Sequence, residues 1–143
     1  MKSQTPPVCL YGHSRTMKTR NLLLGLLAVL LPSQLLAEEC YKYEPEKSHI
    51  PGTLESRANS DGRDVFVLVA DEPICVEGGE NPELNVPEKD IKELQVLYKD
   101  PYRIQVLVGK KVQVDGWLFH KDSEDQVTKV LIDARKVKPV VVW

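Results

Sequence analysis

The sequence predicts an all-β domain, a small β-barrel of five strands with one short helix. Three observations carry this. Five apolar or alternating runs of strand length follow one another between residues 53 and 137, separated by Pro, Gly and Asx clusters. The one helical signal is brief and falls between the third and fourth runs, with no parallel crossover expected. Gly116 lies in the middle of the fourth run, where barrels use glycine to bend a strand sharply.

Each element has its own warrant. Residues 40–50 read as extended and irregular, because Pro45, Pro51 and Gly52 punctuate the segment. Residues 53–57 alternate and make a first strand, and Asn59-Ser60-Asp61-Gly62 is a turn signal. Residues 65–70 are apolar on both faces between Asp64 and Asp71, the mark of a buried strand. Residues 77–90 hold Gly78, Gly79, Pro82 and Pro87, show no period, and read as a polar loop, the most mobile part of the domain. Residues 91–98 resume strand character with Leu94, Val96 and Tyr98 on one face. Pro101 opens a helical turn in which Ile104, Leu107 and Val108 share a side, and Gly109 stops it. Residues 112–120 alternate most clearly: Val112, Val114, Gly116 and Leu118 point one way, Gln113, Asp115, Trp117 and Phe119 the other. After a charged turn over 121–126, residues 127–137 form a fifth strand with Val130, Ile132 and Ala134 inward. Pro139 ends it before an apolar tail, Val140-Val141-Val142-Trp143. This order suits an OB-fold, the five-stranded, partly open Greek-key barrel.

Residues 17–37 precede that domain. Lys18 and Arg20 form a basic n-region, a leucine-rich run follows, and Ala37 offers a small residue at a cut site, the pattern of a secretory signal peptide. The apolar run is about half the roughly 20 residues that cross a bilayer, and Pro32 interrupts it, so a membrane anchor is the weaker reading. Glu39 before Cys40 stands where lipoprotein processing needs a small residue. Met17 begins a normal leader. Residues 1–16 therefore read as an upstream extension with Met17 as the true start, the alternative being a long n-region. The expected organisation is an extension and leader over 1–37 and a single OB-like domain over 38–143.

The whole chain has 19 Lys and Arg against 21 Asp and Glu, a net charge of -2. Four of those cations, and no acidic residue, lie in the leader. The exported part carries 15 against 21, or -6. Nucleic-acid binding needs clustered cations to neutralise phosphates, so that class is excluded. Two cysteines remain, Cys40 and Cys75. An isolated pair in an oxidising compartment is most simply a disulfide. Closing a loop of about 35 residues stabilises by roughly 3–4 kcal/mol in the chain-entropy account. A redox-active pair would usually lie closer in sequence.

Several segments taken in order resemble a known family. They are Cys40-Tyr41-Lys42-Tyr43-Glu44-Pro45, Pro51-Gly52-Thr53-Leu54, Asp71-Glu72-Pro73-Ile74-Cys75-Val76, and the run from Gly109 through Gly116-Trp117-Leu118-Phe119-His120. In combination they resemble the exported bacterial proteins called the domain of unknown function 4431 family, over nearly all of residues 38–143. The resemblance implies a periplasmic or secreted bacterial domain with its two cysteines paired, and supplies no activity. Members often carry a histidine-rich turn after the Leu-Phe-His strand. Here that turn is Lys121-Asp122-Ser123-Glu124-Asp125-Gln126, so only His120 remains and a metal role does not carry over.

Catalytic signals are absent from the sequence. No HExxH, phosphate-binding loop, dinucleotide fingerprint or nucleophile elbow occurs, and no enzyme activity, cofactor or metal site is expected. Asn59-x-Asp61-Gly62-x-Asp64 lacks the closing glutamate of a calcium loop and reads as an Asx-rich turn. The best candidate surface is the strand face with Trp117 and Phe119, two large aromatics beside polar groups, unless the C-terminal tail covers them. Asp115, His120 and Arg135 are its expected neighbours. The sequence thus leads to a non-catalytic envelope module that binds a protein or a glycan. The alternative is an inhibitor or immunity protein against an envelope-degrading enzyme, with the 77–90 loop as its inserting element.

Overall fold

The computed structural model describes residues 39–141. The expected leader, the start at Met17 and Trp143 lie outside the described residues. The elements are β1 (Lys47–Ala58), β2 (Asp64–Val76), β3 (Glu88–Tyr98), α1 (Pro101–Gln105), β4 (Lys111–His120) and β5 (Val130–Pro139). This is the all-β class expected, with the one short helix in its expected place.

β1 pairs antiparallel with both β2 and β4, β2 with β3, and β4 with β5. β3 and β5 pair in parallel. Each strand therefore has two neighbours, and the sheet closes on itself in the order β1-β2-β3-β5-β4. The parallel pair departs from the expectation of no parallel crossover. The chain between β3 and β5 carries α1 and all of β4, long enough to return it to the end from which β3 began. No local pattern encodes that return.

β1 begins six residues earlier than expected and runs through Pro51 and Gly52. Its first half pairs with β4 and its second half with β2, the change falling at Gly52, which is opposite both Val112 and Ala70. At Pro51 only β4 is alongside, so the missing N–H leaves no second ladder broken. A Cβ at Gly52 would lie 2.3 Å from the Val69 carbonyl oxygen, so the strands approach there only because the residue is glycine. Gly116 makes the same approach to β5, with the Asp133 oxygen 2.2 Å from an added Cβ. The ladder slips at that point: Asp115 faces Lys136 while Gly116 faces Ala134. Arg135 is the extra residue of a β-bulge.

The interior is filled by fully buried Ile50, Leu54, Leu68, Leu94, Val114, Leu118 and Ile132. α1 starts as expected: the Asp100 side chain accepts from the Arg103 N–H at 3.1 Å and Pro101 sits in the first turn. It drives Ile104 fully into the core. Gly109, at φ +80°, turns the chain away and donates its N–H to Leu54 O at 2.7 Å.

The segment before β1 is extended and stitched down. Cys40 and Cys75 form the expected disulfide, with Cα atoms 4.7 Å apart. Tyr41 bridges Val76 and Tyr43 bridges Leu118. The buried Tyr43 hydroxyl donates to Val86 O at 2.6 Å, which ties the 77–87 loop to the body. That loop was expected to be loose, yet it is internally bonded. Asn81 O accepts from the N–H groups of Leu84 and Asn85, and Gly79 N–H donates to Asn85 O.

Candidate binding face

The odd residues of β4 turn outward, as their alternation predicts. Strand register then decides what stands beside them. Trp117 lies between Lys47 of β1 and Asp133 of β5, and Asp133 lies opposite Leu97 of β3. Asp115 lies between His49 and Lys136, and Gln113 between Pro51 and Lys138.

Trp117 is half-buried, and Arg135 lies over its ring. The guanidinium carbon sits 4.7 Å from the ring centroid, a cation–π contact. Its Nη2 also donates to Asp133 Oδ2 at 3.3 Å. The bulge at Gly116 puts Arg135 in that position. Val140 donates its N–H to Lys111 O at the opposite end of β4; residues 142–143 of the tail lie outside the described residues.

Asp115 is buried rather than presented to a ligand. It accepts from His49 Nδ1 at 2.8 Å and Gln113 Nε2 at 2.9 Å, with Lys138 Nζ at 3.8 Å. Burial pushes its carboxyl upward. The His49 and Gln113 bonds, helped by the charges of His49 and Lys138, outweigh that and hold it below the usual carboxylate range. Its role is to orient His49, whose side chain stays 56% exposed.

Phe119 belongs to a second, smaller apolar layer. It is half-buried opposite the fully buried Leu131, in a row that continues through Gln95 to Val67. Gln95 fastens the turn over that row. Its Oε1 accepts from Val127 N–H at 2.8 Å and its N–H donates to Thr128 Oγ1 at 2.7 Å.

His120 is not part of the Trp117 face. It has the even parity of inward-facing Val114 and Leu118, so it points to the other side of β4. There it meets Glu88 Oε1 at 3.0 Å. Glu88 also approaches Lys129 Nζ at 3.7 Å. Burial, with the Glu88 charge adding to it, pushes the Tyr43 hydroxyl up to about 12. This cluster closes one end of the sheet.

The structure adds residues that the sequence reading missed. A groove of about 960 Å³ runs beside Arg135 and Asp133 and is lined across from them by Leu97, Tyr98, Lys99, Tyr102 and Arg103. Tyr102 is 86% exposed. Tyr98-Lys99-Asp100-Pro101-Tyr102-Arg103 interleaves aromatics and charges at a strand-to-helix corner, a signal that could have marked this rim. Nothing local in the sequence marks Lys47.

Chemically the face offers cations, a clamped Trp–Arg pair and an oriented imidazole. Among the described residues, no serine, threonine or cysteine side chain hydrogen-bonds to His49 or His120. Among them, too, no three His, Cys, Asp or Glu residues are grouped to hold a metal, and no helix is long and apolar enough to cross a membrane. No protein-family model matches the chain, and no curated protein matches it.

Proposed function

We propose that this chain is a non-catalytic exported module of the bacterial envelope, an OB-type barrel that holds a protein or glycan partner. The order β1-β2-β3-β5-β4, with a helix between β3 and β4, supports the OB-type reading. The Cys40–Cys75 disulfide supports an oxidising compartment, periplasmic or extracellular. The resemblance to the domain of unknown function 4431 family belongs to the same reading. The observation that carries the function is the groove beside the Arg135-covered Trp117, where concave surface, aromatic area and charge converge. In the test, Trp117→Ala is compared with the wild-type chain in a pull-down from the envelope fraction. The expected result is an unchanged β-sheet spectrum with loss of the retained partner. Unchanged retention removes the proposal.

A second reading, an inhibitor of an envelope-degrading enzyme, is favoured by one observation. Leu84 is 62% exposed on the internally bonded 77–87 loop. Leu84→Asp should then abolish inhibition of a cell-wall hydrolase. A wild-type chain that inhibits no such enzyme rules the reading out.

A further inference from the structure

We infer that the Trp117 face takes an anionic glycan, a polysaccharide bearing carboxylates, with Arg135 as its recognition group. This rests on the binding-module reading above and names the ligand class for that site.

The first argument is where the cations stand. Residues 38–143 are acidic, 15 Lys and Arg against 21 Asp and Glu. Yet the register sets Lys47 beside Trp117 and steps Lys136 and Lys138 away from it along β5, opposite Asp115 and Gln113, with Arg135 over the ring, all four exposed. Lys99 and Arg103 continue the charge along the groove. The carboxylates among them are Asp100, Asp115 and Asp133, and each is already engaged. Asp100 caps α1 and lies 3.6 Å from Arg103, Asp115 is buried on His49 with Lys138 Nζ at 3.8 Å, and Asp133 holds Arg135, three carboxylates against six cations. The face is left with surplus positive charge on an acidic domain.

The second argument is spacing. Alternate residues of a strand stand about 7 Å apart, and strands two places apart about 10 Å. Lys136 and Lys138 therefore step along β5, with Lys47 across the sheet from them. A small anion meets one such site, whereas a polymer with a charge on each unit meets several.

The third argument is the make-up of the groove. Residues 136–139 of β5 pair with β4 alone, so strand addition by a peptide is what the polyglutamate control below tests. Exposed Tyr102 and Leu97 give the groove an apolar rim for the C–H faces of sugar rings. Arg135 is pre-organised: the indole holds one face of the guanidinium and Asp133 one Nη. Its remaining N–H groups form a fixed fork for a carboxylate, so little side-chain freedom is lost on binding.

Calorimetric titration of the full chain with polygalacturonate tests the inference, with dextran and polyglutamate as the neutral and peptide controls. Polygalacturonate should bind, more weakly as salt rises, and the R135Q/K136Q/K138Q variant should lose roughly tenfold or more in affinity. If that variant fails to show a β-sheet spectrum, R135Q alone carries the test with a several-fold loss. Equal binding of dextran, equal or tighter binding of polyglutamate, or unchanged affinity in the variant overturns the inference. If polygalacturonate does not bind while Trp117→Ala still loses its envelope partner, the glycan assignment falls and the binding-module reading stands. If neither effect is seen, both fall.

Discussion

The two halves of β1 stand on two walls of the sheet that handle charge in opposite ways. On the β2–β3 side, Arg57 is enclosed by carboxylates. It donates to Glu93 through Nη1 and Nη2, each at 2.8 Å, and to Glu55 through Nη2 at 2.8 Å and Nε at 3.2 Å. The Arg57 bond holds the Glu93 carboxyl below its ordinary value, and both glutamates keep the guanidinium charged. On the β4–β5 side the balance is reversed. There Asp115 is engaged by His49 and Lys138 and Asp133 by Arg135, while Lys47 and Lys136 stand exposed beside them. A closed sheet can thus keep one wall electrostatically self-contained and leave the other open to an anionic partner, although one strand contributes to both.

The most forceful way to break this contrast is Gly116→Val. Its side chain would collide with the Asp133 carbonyl, undo the bulge and displace Arg135 from Trp117. We expect a loss of roughly 3 kcal/mol in denaturant unfolding, together with a changed Trp117 fluorescence in whatever folded fraction remains.

Asp115→Asn comes next, because the carboxylate is buried among donors. Its loss should cost about 1–3 kcal/mol at pH 7. The folded carboxyl lies below its unfolded value. Its stabilisation is therefore complete above the ordinary carboxylate pKa of about 4 and disappears as pH falls through the folded value. The gap between wild type and variant should be wide at pH 7 and close as pH falls through the folded value, which lies below the ordinary carboxylate pKa of about 4. A gap that persists in acid would show that Asp115 acts through packing rather than charge.

Arg57→Gln tests the self-contained wall. Its side chain is 35% exposed, so solvent screening limits the effect, and we expect about 1 kcal/mol or less, shrinking in high salt. Arg135→Gln tests the open wall and should move stability by no more than about 0.5 kcal/mol, while clearly altering Trp117 emission. A larger stability cost at Arg135 than at Arg57 would invert the comparison.

Much of the fold was legible because side-chain alternation is local. Residues 112–120 show the inward and outward sets of β4 directly, and Pro101 marks the start of the helix, which ends at Gln105, four residues before the expected stop at Gly109. The start of β1 was missed because Pro51 and Gly52 read as breaks until their neighbours are known. Pro51 is tolerated where β2 has not yet joined, and Gly52 is required where it does. The candidate site was half legible. Trp117 and Arg135 were identified from the sequence. His120 was grouped with them by nearness along the chain, whereas its parity sends it to Glu88, and Phe119 proved to face Leu131.

The sequence by itself determined which side chains share a face of each strand and which two cysteines of residues 38–143 could join, since both follow from short-range backbone geometry and from how few thiols that stretch holds. Only the tertiary structure decided that β3 lies beside β5, that Lys47 stands next to Trp117, and that Arg135 lies over its ring. Those facts depend on which distant strands hydrogen-bond and on where one ladder slips by a residue, choices made by the whole closed sheet and not by any single segment.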